Sequence, residues 1–249
     1  MKNLVIASVA ALVLASTSSL AADLPTKAAP ATTDQFNWSN CYFGAKAGTA
    51  WARDDWQDNF PTLPPGANVL PATHTSTSFL YGAEAGCNLQ HDHFVIGVEV
   101  GGVAAKFGPV TSTFPLAGFN RDSTSKGNAL YDLAARLGYA QDYWLIFAKA
   151  GVAGTSIDYT VVRTVDQAPM ANASGASGSG FVVGAGIEYA ATKNIVLGLE
   201  YDYYGFKVPD QNGVNTPAFV VQNITNNSYN VQALTARVSF LLNPIVEAK

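Results

Sequence analysis

The chain has 249 residues, a formal net charge of −4 and only 13% charged residues, beside 22 glycines. Soluble domains carry about 25% charged residues, and nucleic-acid binding needs a basic surface that this balance does not supply. The length suits one domain, or at most two.

In chain order, Lys2 is a basic n-region, Leu4 to Ala15 an apolar core and Ser19-Leu20-Ala21 a small-x-small cleavage signal. This predicts a secretory signal peptide over 1–22, because the run is shorter than the ~20 residues of a spanning helix. Residues 23–40, beginning DLPTKAAPATTDQFN, are polar and proline-containing, and predict an extended periplasmic lead-in.

From Trp38 onward the apolar pattern takes a period of two. Eight alternating segments follow: 41–53, 75–90, 94–107, 128–140, 144–157, 180–190, 194–207 and 229–242. Each is as long as a tilted membrane strand, about 9–11 residues. The links alternate between long (54–74, 108–127, 158–179, 208–228) and short (91–93, 141–143, 191–193). Long loops on one side and short turns on the other are the layout of an outer-membrane barrel. All twelve prolines fall outside these segments, as expected of a residue that cannot donate to a sheet ladder. The stretch ANASGASGSG (171–180) reads as a mobile, low-complexity part of the third long loop. The expected fold is all-β: an eight-stranded antiparallel up-and-down transmembrane barrel over 41–242, with long extracellular loops and a tail over 243–249.

Alternation assigns each strand two faces. One carries no charge and is mostly apolar, with residues such as Ile96, Val98, Val100, Ile146, Val152, Leu197 and Leu199. Aromatics of the same parity flank it: Phe43, Phe94, Tyr139, Trp144, Tyr189 and Phe240 near the short turns, and Trp51, Phe79, Tyr81, Tyr131, Phe181 and Tyr203 near the loops. Two girdles around an apolar band mark a lipid-facing surface. The other face holds glycines and one charge per strand at nearly one depth: Lys46, Glu84, Glu99, Arg136, Lys149, Glu188, Glu200 and Arg237. Asp132 and Asp202 add two carboxylates nearer the loops. An eight-stranded barrel is just wide enough for side chains to fill it, so these charges predict a plugged, ion-paired lumen. Their signs pair strand one with two, three with four, five with six and seven with eight. Lys149, in WLIFAKAGVAG (144–154), is thereby expected to meet Glu188. Cys41 and Cys87 share the outward parity at the same membrane edge, which predicts a disulfide.

The opening WSNCYFG (38–44) after AADLP, with FLYGAEAGCNLQ (79–90) and FVIGVEVGG (94–102), resembles the small outer-membrane β-barrel surface antigens of alphaproteobacteria, relatives of the OmpA transmembrane domain. The resemblance covers essentially the whole mature chain. It implies a structural or surface-interactive role in the cell outer membrane, in envelope integrity and as a surface antigen. Barrels of this kind usually end on an aromatic residue. Phe240 has that parity, and LLNPIVEAK follows it.

No strand segment contains a histidine, so no serine–histidine site is expected and the chain is not expected to be an enzyme. His91-Asp92-His93 reads as a tight turn and not as a metal site. No cofactor is expected. The expected partners are outer-membrane lipids and lipopolysaccharide, the barrel-assembly machinery and a surface ligand met by the loops, whose large apolar residues include Trp56, Phe60, Leu63, Phe114, Phe119 and Phe219. The alternatives are a narrow low-conductance pore and a haemin or ligand receptor, for which His74 would be the best ligand.

Overall fold

The computed structural model describes residues 36–59, 69–105, 107, 110–116, 119–163, 169–208, 211–212 and 223–242. The signal segment, most of the lead-in and the tail lie outside these. The strands are β1 (Cys41–Asn59), β2 (Val69–His91), β3 (Phe94–Ala105), β4 (Val110–Leu116), β5 (Phe119–Gln141), β6 (Trp144–Arg163), β7 (Pro169–Ala190), β8 (Ile195–Val208), β9 (Gln211–Asn212) and β10 (Asn223–Leu241). Eight of them form a closed antiparallel barrel in the order β1-β2-β3-β5-β6-β7-β8-β10, shut by pairing of β10 with β1. The short strand β4 pairs with β5, and β9 with β10.

Burial follows parity. In β3 the residues alternate between exposed and covered along almost the whole strand. Val152, Phe79 and Ile146 on the outer face are 64%, 67% and 62% exposed. Surface this apolar is stable only against lipid. Closing the sheet removes both edges, so each backbone amide within the membrane finds a partner inside the wall.

Two turns at the periplasmic end put Asp92 and Asp142 in the left-handed region, at φ 53° and 52°. Aspartate tolerates that conformation better than most residues. His91 and His93 flank Asp92 there, and His93 Nδ1 lies 3.0 Å from the Ala140 carbonyl.

The wall is taller than the alternation predicts. Strands β1, β2, β5, β6 and β7 continue past the expected segments into residues expected to be loop, including ANASGASGSG, which lies in β7 paired with β6. The extensions lack the apolar alternation of the lower wall and are held as strands by their ladder. Pro71 and Pro169 therefore stand within β2 and β7, near the ends of those strands, and Pro115 stands in β4. Bulges interrupt these extensions at Asp55/Gln57, Gly127/Ala129 and Ile157/Tyr159.

Candidate functional site: a lumen in three layers

The lumen side chains sort into three layers. The periplasmic end is closed by the segment before β1. Trp38 is 2% exposed and packs with Val95, Ala140, Leu145, Ala190 and Val196, with Phe36 and Leu241 against them. Hydrogen bonds hold this cap: Trp38 N donates to Gln90 Oε1 at 2.7 Å, Gln90 N to Ser39 Oγ at 2.9 Å and Asn88 N to Asn40 O at 2.8 Å. Beside it, Cys41 and Cys87 are register partners joined by a disulfide. The expected extended lead-in thus ends, over 36–40, as a stopper.

The middle layer is ionic. Lys46, Glu84, Glu99, Asp132, Arg136, Lys149, Glu188, Glu200, Asp202 and Arg237 are all buried. Lys46 Nζ lies 3.7 Å from Glu84 and 3.5 Å from Glu200. Arg136 reaches Glu188 at 2.6 Å and Glu99 at 3.4 Å. Arg237 reaches Glu84 and Glu200 at 2.5 Å each, Glu99 at 2.9 Å and Glu188 at 3.5 Å.

Lys149 departs from the expected pairing. It does not meet Glu188. Its Nζ lies 2.7 Å from Glu200, 3.1 Å from Asp202, 3.3 Å from Glu99 and 3.8 Å from Asp132. Register explains this: Lys149 stands opposite Gly184, and Glu188 stands opposite Leu145. Four residues along a strand is about 13 Å. Glu188 therefore falls to the two arginines.

Inward glycines give these side chains room. A Cβ at Gly184 would stand 2.2 Å from Asp202 Oδ1 and 3.2 Å from Lys149 Cε, and one at Gly198 2.8 Å from Arg237 Cγ.

Uncharged partners complete the layer. Tyr42 donates to Glu99 Oε2 at 2.6 Å, and its hydroxyl accepts from Arg136 Nη1. The Arg136 guanidinium lies 3.9 Å from the Phe147 ring centroid, a cation–π contact. Ser239 Oγ donates to Glu84 at 3.0 Å. Tyr204 reaches Asp132 at 3.2 Å and Asp202 at 3.4 Å. A search restricted to charges misses these four residues. Their signal is parity: each stands an even number of positions from an inward charge on its own strand, Tyr42 from Lys46, Phe147 from Lys149, Tyr204 from Asp202 and Ser239 from Arg237.

The third layer, towards the loops, is apolar. Leu80, Val103, Leu130, Val182, Tyr204, Phe206, Tyr229 and Val231 are all buried in one cluster. Phe206 stacks between Tyr204 and Tyr229, with centroids 6.0 and 6.1 Å apart. The side chains of His74, Trp56, Phe114 and Phe119, and residues Phe60, Leu63 and Phe219, lie outside the described residues. Chemically the lumen is a sealed ionic layer between two greasy ones.

The model of the outer membrane protein β-barrel domain family matches residues 7–240. The chain belongs to that family. It is similar to the 31 kDa outer-membrane immunogenic proteins of Brucella melitensis and Brucella suis, at 28% identity over 214 residues, which are 82% of this chain and 86% of each relative. Among solved structures it is similar to Neisserial surface protein A (17% identity, TM-score 0.38, covering 81% of this chain and 97% of that one). It is also similar to OprG of Pseudomonas aeruginosa (13% identity, TM-score 0.47, covering 82% and 99%). This member of the family is an outer-membrane β-barrel.

Proposed function

We propose that the protein is a closed structural barrel that contributes to envelope integrity and presents its loop side as a surface antigen. Catalysis and transport are no part of this reading. One observation carries it: the three filled layers of the lumen, from Trp38 through the ion pairs to Phe206. A barrel of eight strands can hold water only where side chains leave room, and here long charged side chains cross the axis. The immunogenic relatives in Brucella support the surface-antigen part. The partners that suit it are the lipids of the outer membrane, lipopolysaccharide above all, the barrel-assembly machinery that inserts it, and a surface ligand met by the loops.

Planar-bilayer recording on the refolded barrel is the test. The expected trace is quiet, with at most brief, small events. Large, steady single-channel steps would show an open lumen and overturn the reading in favour of a pore.

A further inference from the structure

The outer wall carries a groove of about 560 Å³ at the level of the loop-side girdle. Its floor is Val100, Leu133 and Val152, and one wall is Tyr131. Its upper rim is Ser177, Gly178 and Ser179. The groove exists because two rings lie down. Tyr131 rests on Gly154 of the next strand, where a Cβ would be 2.2 Å from the ring. Phe181 of β7 leans away over Gly205 of β8, where a Cβ would be 2.7 Å from that ring. The surface of β6 and β7 between them is left uncovered.

The groove has a direction. Val100, Leu133 and Val152 share one rung of the ladder. The next rung towards the loops carries Tyr131, Gly154, Ser179 and Lys207 as successive register partners. Lys207 is exposed and forms no ion pair among the described residues. Polarity therefore rises from hydrocarbon to hydroxyl over one such step along the strands, about 7 Å, and the cation stands one strand beyond the hydroxyl, about 5 Å across the sheet. On a lipid-facing wall a groove of this kind is filled by hydrocarbon, and its polar end selects the headgroup. Serine hydroxyls suit a sugar, and an exposed lysine suits a phosphate.

We propose that the groove is a binding site for outer-leaflet lipopolysaccharide. It takes one acyl chain against Val152 and Leu133, and sets a lipid A phosphate at Lys207. This rests on the reading above, in which lipopolysaccharide is a partner, and it names the place.

The test is native mass spectrometry of the intact refolded barrel in non-ionic detergent. The barrel is titrated separately with diphosphorylated lipid A, phosphatidylglycerol and phosphatidylethanolamine. The expected result is one lipid A retained in preference to either phospholipid. Lys207→Gln is expected to weaken it about fivefold, the loss of one surface lysine–phosphate attraction. Val152→Trp, which fills the floor, should abolish retention, and Ser179→Phe should do the same from the rim if the first variant does not fold. Heat-modifiable migration on a gel identifies the folded variants. Lipid A held equally by the wild type and all folded variants overturns the groove but leaves lipopolysaccharide a partner elsewhere. A wild type that prefers phosphatidylglycerol or phosphatidylethanolamine, or holds all three alike, overturns the groove and the partner together.

Discussion

The two ends of the ionic layer are built on different terms. At the periplasmic end each carboxylate touches at least two cations within 4 Å: Glu84 meets Lys46 and Arg237, and Glu188 meets Arg136 and Arg237. At the loop end Asp132 and Asp202 each have only Lys149 within that distance among the described residues. The arginine end is redundant, and the lysine end is not. A guanidinium fork serves several acceptors at fixed angles, whereas an ammonium is a point charge that its neighbours divide. Among the described residues six buried carboxylates meet four buried cations, and the imbalance falls at the lysine end.

This difference ranks the cations. Removing one partner of a buried pair costs about 3–5 kcal/mol, because the other charge stays buried and alone. Lys149→Met orphans two aspartates at once and should sit at or above the top of that range. Arg136→Met leaves Glu99 and Glu188 with Arg237 and should sit near the bottom, about 3 kcal/mol. Urea midpoints of the refolded barrels in one detergent measure both. Equal losses would erase the distinction between the ends.

The cap gives a reference that no charge affects. Trp38→Ala removes a buried indole and should cost about 3 kcal/mol, the lower figure for such truncations, since the cap meets the barrel at one end only. The loss should be the same at low and high salt. A loss that depended on salt would mean that Trp38 acts through the ionic layer above it.

The ends should also answer unequally to removal of acid. Glu200 touches Lys46, Lys149 and Arg237, so Glu200→Gln should cost about 3 kcal/mol. Asp202 competes with three other carboxylates for one lysine. Asp202→Asn keeps the shape, relieves that competition and should change stability by under ~1 kcal/mol in either direction. An Asp202→Asn loss equal to that of Glu200→Gln would show that the loop end has no excess of acid.

Much of this was legible from parity alone. Period two separates lipid from lumen, counts eight strands and sets Cys41 against Cys87, because each follows from one strand or from one hairpin register. Contacts across the lumen were not legible. They depend on strand tilt and on side-chain length, which put Lys149 beside Glu200 and Asp202 and left Glu188 to the arginines. Trp38 was hidden for another reason. Two aromatics, Phe36 and Trp38, in a polar lead-in are too few to mark a face, and the burial of Trp38 comes from the floor of a barrel that closes far away in the chain. The extensions of β2 and β7 escaped because their sequences carry no apolar alternation.

The finest test concerns coupling within the layer. Lys149 and Glu200 are in direct contact at 2.7 Å, so the loss in Lys149→Met with Glu200→Gln should fall short of the sum of the single losses by about 1–3 kcal/mol. Lys149 and Glu188 have no direct contact and stand four residues apart in the β6–β7 register. They communicate only through Glu99 or Glu200 and an arginine, so their double variant should be additive within ~0.5 kcal/mol. The ratio of the two couplings tests the geometry independently of how expensive any one charge is to bury, since each single-variant cost cancels in its own cycle. A Lys149–Glu188 coupling as large as the Lys149–Glu200 coupling would bring back a simple neighbour-strand pairing and remove the asymmetry between the ends.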